Sequence, residues 1–264
     1  MSRFSALFQR LRREGRAALM PFLEVGDPDL QTLERLIPAV VEAGADALEL
    51  GVPFSDPIAD GPTMQRAAYR ALQRGVRLQE VLELVRRVRR AVDVPIAVMS
   101  YANPLYRYGI ERFTGEAREV GVDGLIAADI PADEGEPLIR AARPVGLETI
   151  FLVAPTSTEA RLRTVAAATT GFLYCVSVTG VTGAREQLSE EAEELVRRVR
   201  RVTDLPAVVG FGIATPEHAR AAARFSDGVI VASALYQVLE TARDPVAAAV
   251  DFLRPFAQAL RSGP

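Results

Sequence analysis

The sequence predicts a (β/α)8 TIM barrel. Eight apolar runs of strand length centre on residues 19–23, 48–50, 96–100, 125–128, 149–153, 172–176, 207–211 and 229–232, and helical patterns separate them. Near-continuous apolar strands alternating with helices mean a parallel sheet covered by helices. Eight such units in 264 residues match the size of a barrel. The chain also repeats. Glu83-Leu84-Val85-Arg86-Arg87-Val88-Arg89-Arg90 recurs as Glu194-Leu195-Val196-Arg197-Arg198-Val199-Arg200-Arg201, before the third and the seventh runs. Four units is half a barrel. The rival is an open doubly wound sheet, but no Gly-x-Gly-x-x-Gly follows the first run. With no linker or low-complexity segment, residues 1–264 are expected to form one domain.

In order, the chain opens on an amphipathic helix with Phe4, Leu7, Phe8 and Leu11 at i, i+3, i+4, i+7. An Arg- and Ser-bearing helix at this position also fits a transit peptide. The chain runs straight into an apolar strand near Ala18, with no spacer to cleave, so the helix is expected to cover one end of the fold. A short unit then recurs three times: Gly44-Ala45-Asp46-Ala47-Leu48, Gly121-Val122-Asp123-Gly124-Leu125 and Ser226-Asp227-Gly228-Val229. It reads as a helix end, a turn Asp and a buried strand. The Arg clusters of the long repeat follow Glu80 and Glu83, and Glu190, Glu191, Glu193 and Glu194. That Glu-to-Arg spacing belongs to a solvated helix face rather than a nucleic-acid patch. Pro216-Glu217-His218 reads as a helix start, and the eighth run passes directly into a helix near Ala234.

Composition removes several kinds of chemistry. The net charge of −3 offers no basic field for nucleic acid or an anionic membrane, and no apolar run approaches a membrane span. Cys175 stands alone, so no intrachain disulfide can form and a reducing cytoplasm fits. All 31 basic residues are Arg. Without Lys, Schiff-base aldolase chemistry and covalent pyridoxal phosphate are unavailable to this chain. His218 is the one histidine and reads as a surface helical residue; a zinc site or His triad is not expected. Carboxylates, hydroxyls, tyrosines and backbone amides remain.

The most informative stretch runs from Ala47 to Pro62. Alternation puts Leu48 and Leu50 on one strand face and Glu49 on the other, toward the barrel interior. A buried carboxyl has a raised pKa unless compensated. Asp60 follows on the loop after the strand, at the C-terminal end where barrel active sites lie. Two acids in different environments suit acid/base work. Their structural alternatives are a buried acid paired with Arg for Glu49 and a turn Asp before Gly61 for Asp60. Three later loops carry small residues at strand ends: Ser177-Val178-Thr179-Gly180-Val181-Thr182-Gly183, Gly210-Phe211-Gly212 and Ala232-Ser233-Ala234. Glycine amides and a helix start suit a phosphate ester.

Glu49-Leu50-Gly51-Val52-Pro53-Phe54-Ser55-Asp56-Pro57, with Ala59-Asp60-Gly61-Pro62, resembles the signature of the tryptophan synthase alpha chain family. The similarity continues through Pro21-Phe22, Tyr101-Ala102-Asn103-Pro104, Asp129-Ile130-Pro131, Gly180-Val181-Thr182-Gly183 and Gly210-Phe211-Gly212-Ile213. The resemblance implies retro-aldol cleavage of indole-3-glycerol phosphate to indole and glyceraldehyde 3-phosphate. It implies Glu49 as the acid/base at indole C3 and Asp60 beside the indole N–H. It further implies Phe22 and Tyr174 in the indole pocket, and a phosphate cradle of Gly183, Phe211, Gly212, Ala232 and Ser233, with Thr182 helping to close the strand-six loop. Ala232 departs from the family, which often has Gly there.

The resemblance also implies a partner: a pyridoxal-phosphate beta chain in an α2β2 heterotetramer, facing Asp56, Asn103 and Asp129, with no cofactor in this chain. Two other readings stay open, a free-standing indole-glycerol-phosphate lyase and a non-catalytic barrel acting as partner or regulator. Intact Glu49 and Asp60 argue against the last.

Overall fold

The sheet is wholly parallel and closes on itself through a single run of chain. The structure is a computed structural model. It describes residues 2–176 and 185–261, without the side chains of 185–189. The strands are β1 (Ala18–Glu24), β2 (Leu48–Gly51), β3 (Ile96–Ser100), β4 (Gly124–Ala127), β5 (Glu148–Ile150), β6 (Leu152–Val153), β7 (Leu173–Cys175), β8 (Ala207–Val209) and β9 (Gly228–Val231). Their order is β5-β4-β3-β2-β1-β9-β8-β7-β6. β5 and β6 are two parts of one apolar run, interrupted at Phe151. The first part pairs with β4 and the second with β7, so the run joins both edges. The predicted barrel of eight strand runs is the architecture observed.

The helices are α1 (Arg3–Glu14), α2 (Leu30–Glu42), α3 (Pro62–Gln73), α4 (Leu78–Val88), α5 (Ala102–Tyr108), α6 (Ile110–Val120), α7 (Glu136–Val145), α8 (Glu159–Ala168), α9 (Arg185–Arg200), α10 (Pro216–Ala223), α11 (Ser233–Leu239) and α12 (Pro245–Arg261). The two copies of the long repeat are α4 before β3 and α9 before β8. The seventh run stops at Val209, two residues earlier than its apolar pattern suggests, so Phe211 and Gly212 lie on the loop beyond it.

The short repeat has a common job. Asp46, Asp123 and Asp227 each accept a hydrogen bond from a backbone N–H at the start of a neighbouring strand: Leu19 at 3.0 Å, Ile96 at 3.0 Å and Ala207 at 2.9 Å. Each also pairs with Arg, at 2.8 Å to Arg16, 2.9 Å to Arg89 and 3.2 Å to Arg200. A buried carboxylate with both a cation and an N–H donor is a satisfied one.

α1 covers the end where the strands begin, as expected. Phe4, Leu7, Phe8 and Leu11 are buried, and the Phe4 and Phe8 rings meet Phe172 at 5.4 and 6.1 Å between centroids. Phe172 in turn lies 6.3 Å from Tyr174. An aromatic column thus runs from α1 into the barrel. No described helix is long and apolar enough to cross a membrane.

Candidate active site

The parallel register settles which side chains share the barrel interior. Phe22 lies opposite Glu49 and Glu24 opposite Gly51; neighbours in register point to the same face. Phe22, Glu24 and Glu49 are therefore interior, and Leu48 and Leu50 face the helices. Tyr174 enters the same interior from β7. A Cβ built on Gly210 would lie 2.1 Å from the Tyr174 ring, so the tyrosine occupies the space that a side chain there would need.

Glu49 is 0% exposed. Among the described residues neither of its carboxylate oxygens has a hydrogen-bond partner and no ion pair involves it, so no described Arg pairs with it. Burial first, and then the charge of Asp60, push its pKa up to about 8, against a smaller opposing influence of the Tyr174 hydroxyl. Glu49 is thus a carboxyl that keeps its proton at neutral pH.

Asp60 is placed by the loop between β2 and α3. Val52 extends the ladder by donating to the Met99 carbonyl at 2.9 Å, after which Pro53 and Pro57 turn the chain over the barrel mouth. Tyr101, at the end of β3, clasps this loop. Its hydroxyl donates to Asp60 Oδ2 at 2.9 Å and accepts from the Ala59 N–H at 3.2 Å, and its ring lies 5.3 Å from that of Phe54. Burial raises the Asp60 pKa and the Tyr101 hydroxyl opposes the rise. Asp60 is more than a turn residue: its side chain is held from across the mouth.

Two residues of this site escaped the sequence reading. Tyr101 stood in a quoted motif without a role; its position directly after the third run is the signal that it reaches the mouth. Glu24 ends the first run in the same alternating phase as Phe22. Strand alternation points it inward just as it does Glu49.

On the opposite side, β8 and β9 end at the same mouth. Gly212 is exposed with φ +72°, a left-handed conformation that glycine adopts without strain. Phe211 packs half-buried on the core. Ala232 precedes α11 without a side-chain cap, and Ser233 is its exposed first residue. Thr182 and Gly183 lie outside the described residues. His218 serves α10: its N–H donates to the Thr215 cap at 3.3 Å and its Nδ1 accepts from the Ala214 N–H at 3.4 Å. No group of three or more His, Cys, Asp or Glu among the described residues is placed to hold a metal.

Asp56, Asn103 and Asp129 are all exposed near this mouth. Asp129 Oδ1 accepts from the Ala102 N–H at 2.7 Å, tying two of the loops together. A groove of about 910 Å³ lies alongside, lined by Phe54, Ser55, Asn103, Pro104 and Tyr106 among others. It does not include Glu49 or Asp60, so it is a surface beside the acid site rather than the site itself.

The family model described as tryptophan synthase alpha chain matches residues 8–262. A relative from Roseiflexus sp. (strain RS-1), named tryptophan synthase alpha chain, is 49% identical over 257 residues, covering 96% of this chain and 98% of the relative. One of the same name from Citrifermentans bemidjiense is 47% identical over 263 residues, covering 100% and 98%. Among solved structures, Mycobacterium tuberculosis tryptophan synthase superposes with a TM-score of 0.92 at 40% identity, covering 98% of each chain. Tryptophan synthase subunit alpha from Legionella pneumophila gives 0.92 at 35%, covering 99% of each.

Proposed function

The chain belongs to the tryptophan synthase alpha chain family, and from that premise we propose that it is a carbon–carbon lyase that cleaves indole-3-glycerol phosphate to indole and glyceraldehyde 3-phosphate. Glu49 protonates indole C3. Asp60 accepts the indole N–H and stabilises the cation that forms on the ring. The bond from C3 to the glyceryl carbon then breaks, and its electron pair returns to the ring, restoring aromaticity. The adjacent hydroxyl loses its proton to the Glu49 carboxylate and becomes the aldehyde. The protonated ring is itself the electron sink, so neither Lys nor metal is required. The observation that carries this reading is a buried, unpartnered Glu49 with its pKa raised to about 8 beside Asp60. An ideal catalytic pKa lies near working pH.

Phe22 and Tyr174 enclose the indole. The phosphate lies against the backbone of Gly212 and Phe211, with Ala232 and Ser233 opposite, and Gly183 and Thr182 complete the cradle. Residues 1–264 act as one domain, a reading supported by one contiguous cluster of buried apolar side chains. The protein works in the cytoplasm, bound through Asp56, Asn103 and Asp129 to a beta chain in an α2β2 assembly. Pyridoxal phosphate belongs to that partner, and this chain carries no cofactor. The test is product analysis with indole-3-glycerol phosphate: indole and glyceraldehyde 3-phosphate in equal amounts support the reading, and intact substrate, with and without beta chain, contradicts it.

A further inference from the structure

Glu24 carries chemistry that the proposed mechanism leaves unused. It ends β1, is 3% exposed, and its Oε1 has no hydrogen-bond partner among the described residues. Gly51 makes room for it, since a Cβ there would lie 2.7 Å from Glu24 Oε2 and 2.4 Å from the Phe22 ring. It stands one interior register step nearer the mouth than Glu49. Its surroundings are acidic and phenolic. Asp60 faces it from the loop after β2 and Asp27 from the loop after β1. Asp27 is already engaged by Arg70 at 2.6 Å and Arg74 at 3.3 Å from α3. Tyr101 faces it from the end of β3. Tyr236 of α11 accepts from the Glu24 N–H at 2.6 Å. No described ion pair includes Glu24, Glu49 or Asp60, so no described cation neutralises these three acids.

Carboxyls sharing a water-poor space cannot all ionise; protons leave the group in successive steps. Asp60 has a phenol donating to its carboxylate, whereas Glu24 Oε1 has no donor, so ionisation falls to Asp60 first. We propose that Glu24 is a positioning residue of this site, a carboxyl that retains its proton and offers it as a donor to neighbouring Asp60, which is thereby held as the ionised acid. The inference rests on the roles given above to Asp60 and Glu49. Burial and the charges of Asp60 and Asp27 all act in the same direction on it, raising its pKa well above the usual range.

The experiment reads the protonated-carboxyl stretch in the infrared spectrum of the full chain, wild type minus Glu24→Gln, as pH is raised. The expected band is present at neutral pH, disappears only in alkali, and disappears at lower pH when Asp60→Asn removes the neighbouring charge. Absence of the band at neutral pH, or indifference to Asp60→Asn, overturns the proposal. Indole release supplies the functional arm, with folding of each variant checked by circular dichroism. Glu24→Leu, without a polar group, lowers kcat by up to about 10²-fold, and Glu24→Gln, neutral and still a donor, recovers most of that loss. Equal activity of the Leu and Gln variants overturns the positioning role. If the wild type itself releases no indole, the lyase reading fails and the positioning role falls with it. With wild-type release intact, a missing band counts against Glu24 alone.

Discussion

A buried acid without a partner is a liability for the fold, and Glu49 shows how large. The folded protein binds its proton more tightly than the unfolded chain, where the pKa is near 4.5, so this group's contribution to stability falls as pH rises from 4.5 through about 8. Glu49→Gln removes the penalty. It is expected to stabilise the protein by on the order of 3 kcal/mol at pH 7 and by almost nothing at pH 4.5. Thermal unfolding of both proteins across that range checks this; a Tm gap that does not change with pH contradicts it. Gly210 makes the opposite point about space. Gly210→Ala drives a methyl into the Tyr174 ring, overpacking that costs about 1–3 kcal/mol, and displaces the ring from its place beside Glu49. Indole release is expected to fall well beyond what the loss of stability explains, and unchanged release would remove Tyr174 from the pocket. At this scale Glu49 was legible because strand alternation is a short-range rule. The hold of Tyr101 on Asp60 was not, because the contact crosses from the end of β3 to a loop 41 residues earlier; its position after the third run gives only its place at the mouth.

At the level of elements, the apolar runs located every strand within a few residues, because a strand buried on both faces has few polar positions to blur its limits. What the pattern did not reveal is the break at Phe151, where the strand changes partners to close the barrel. The repeated turn-Asp unit was readable as helix end, turn and strand. Its long-range role, an Asp that satisfies a neighbouring strand's first N–H while pairing with Arg, joins elements far apart in sequence and is not written in the unit itself. Asp123 is the most engaged example, accepting from the Ile96 N–H and pairing with Arg3, Arg89 and Arg118. Asp123→Ala leaves the half-buried Arg89 and the Ile96 N–H without this acid. The expected cost is about 3–5 kcal/mol, read as a lower denaturant midpoint, while indole release per folded molecule changes little because the acid lies at the opposite end of the barrel. A cost near zero would show that the remaining Arg89 bonds to the carbonyls of Gly121 and Val94 suffice.

For the whole molecule, one end of the barrel is sealed and the other gathers the buried acids. α1 fills the strand-start end with Phe4 and Phe8, and the column through Phe172 and Tyr174 links that seal to the acids at the mouth. The exposed loops around the mouth carry Asp56, close in sequence to Asp60, so a partner docking there would act on the loop that holds Asp60. Binding shifts a conformational equilibrium only by its differential affinity for the two states. The beta chain is therefore expected to speed cleavage, and substrate-loaded chain to bind the beta chain more tightly, a reciprocity of binding free energies rather than of rates. Asp56→Ala is expected to weaken the stimulation; equal stimulation of mutant and wild type would make Asp56 an ordinary solvated turn residue. In the proposed reaction Glu49 moves the proton at carbon. The most direct test of that role is indole release from indole-3-glycerol phosphate by wild type and Glu49→Gln at neutral pH, with both proteins confirmed folded. A loss of roughly 10²–10⁴ or more is expected in the variant, and near wild-type turnover would contradict the role given to Glu49.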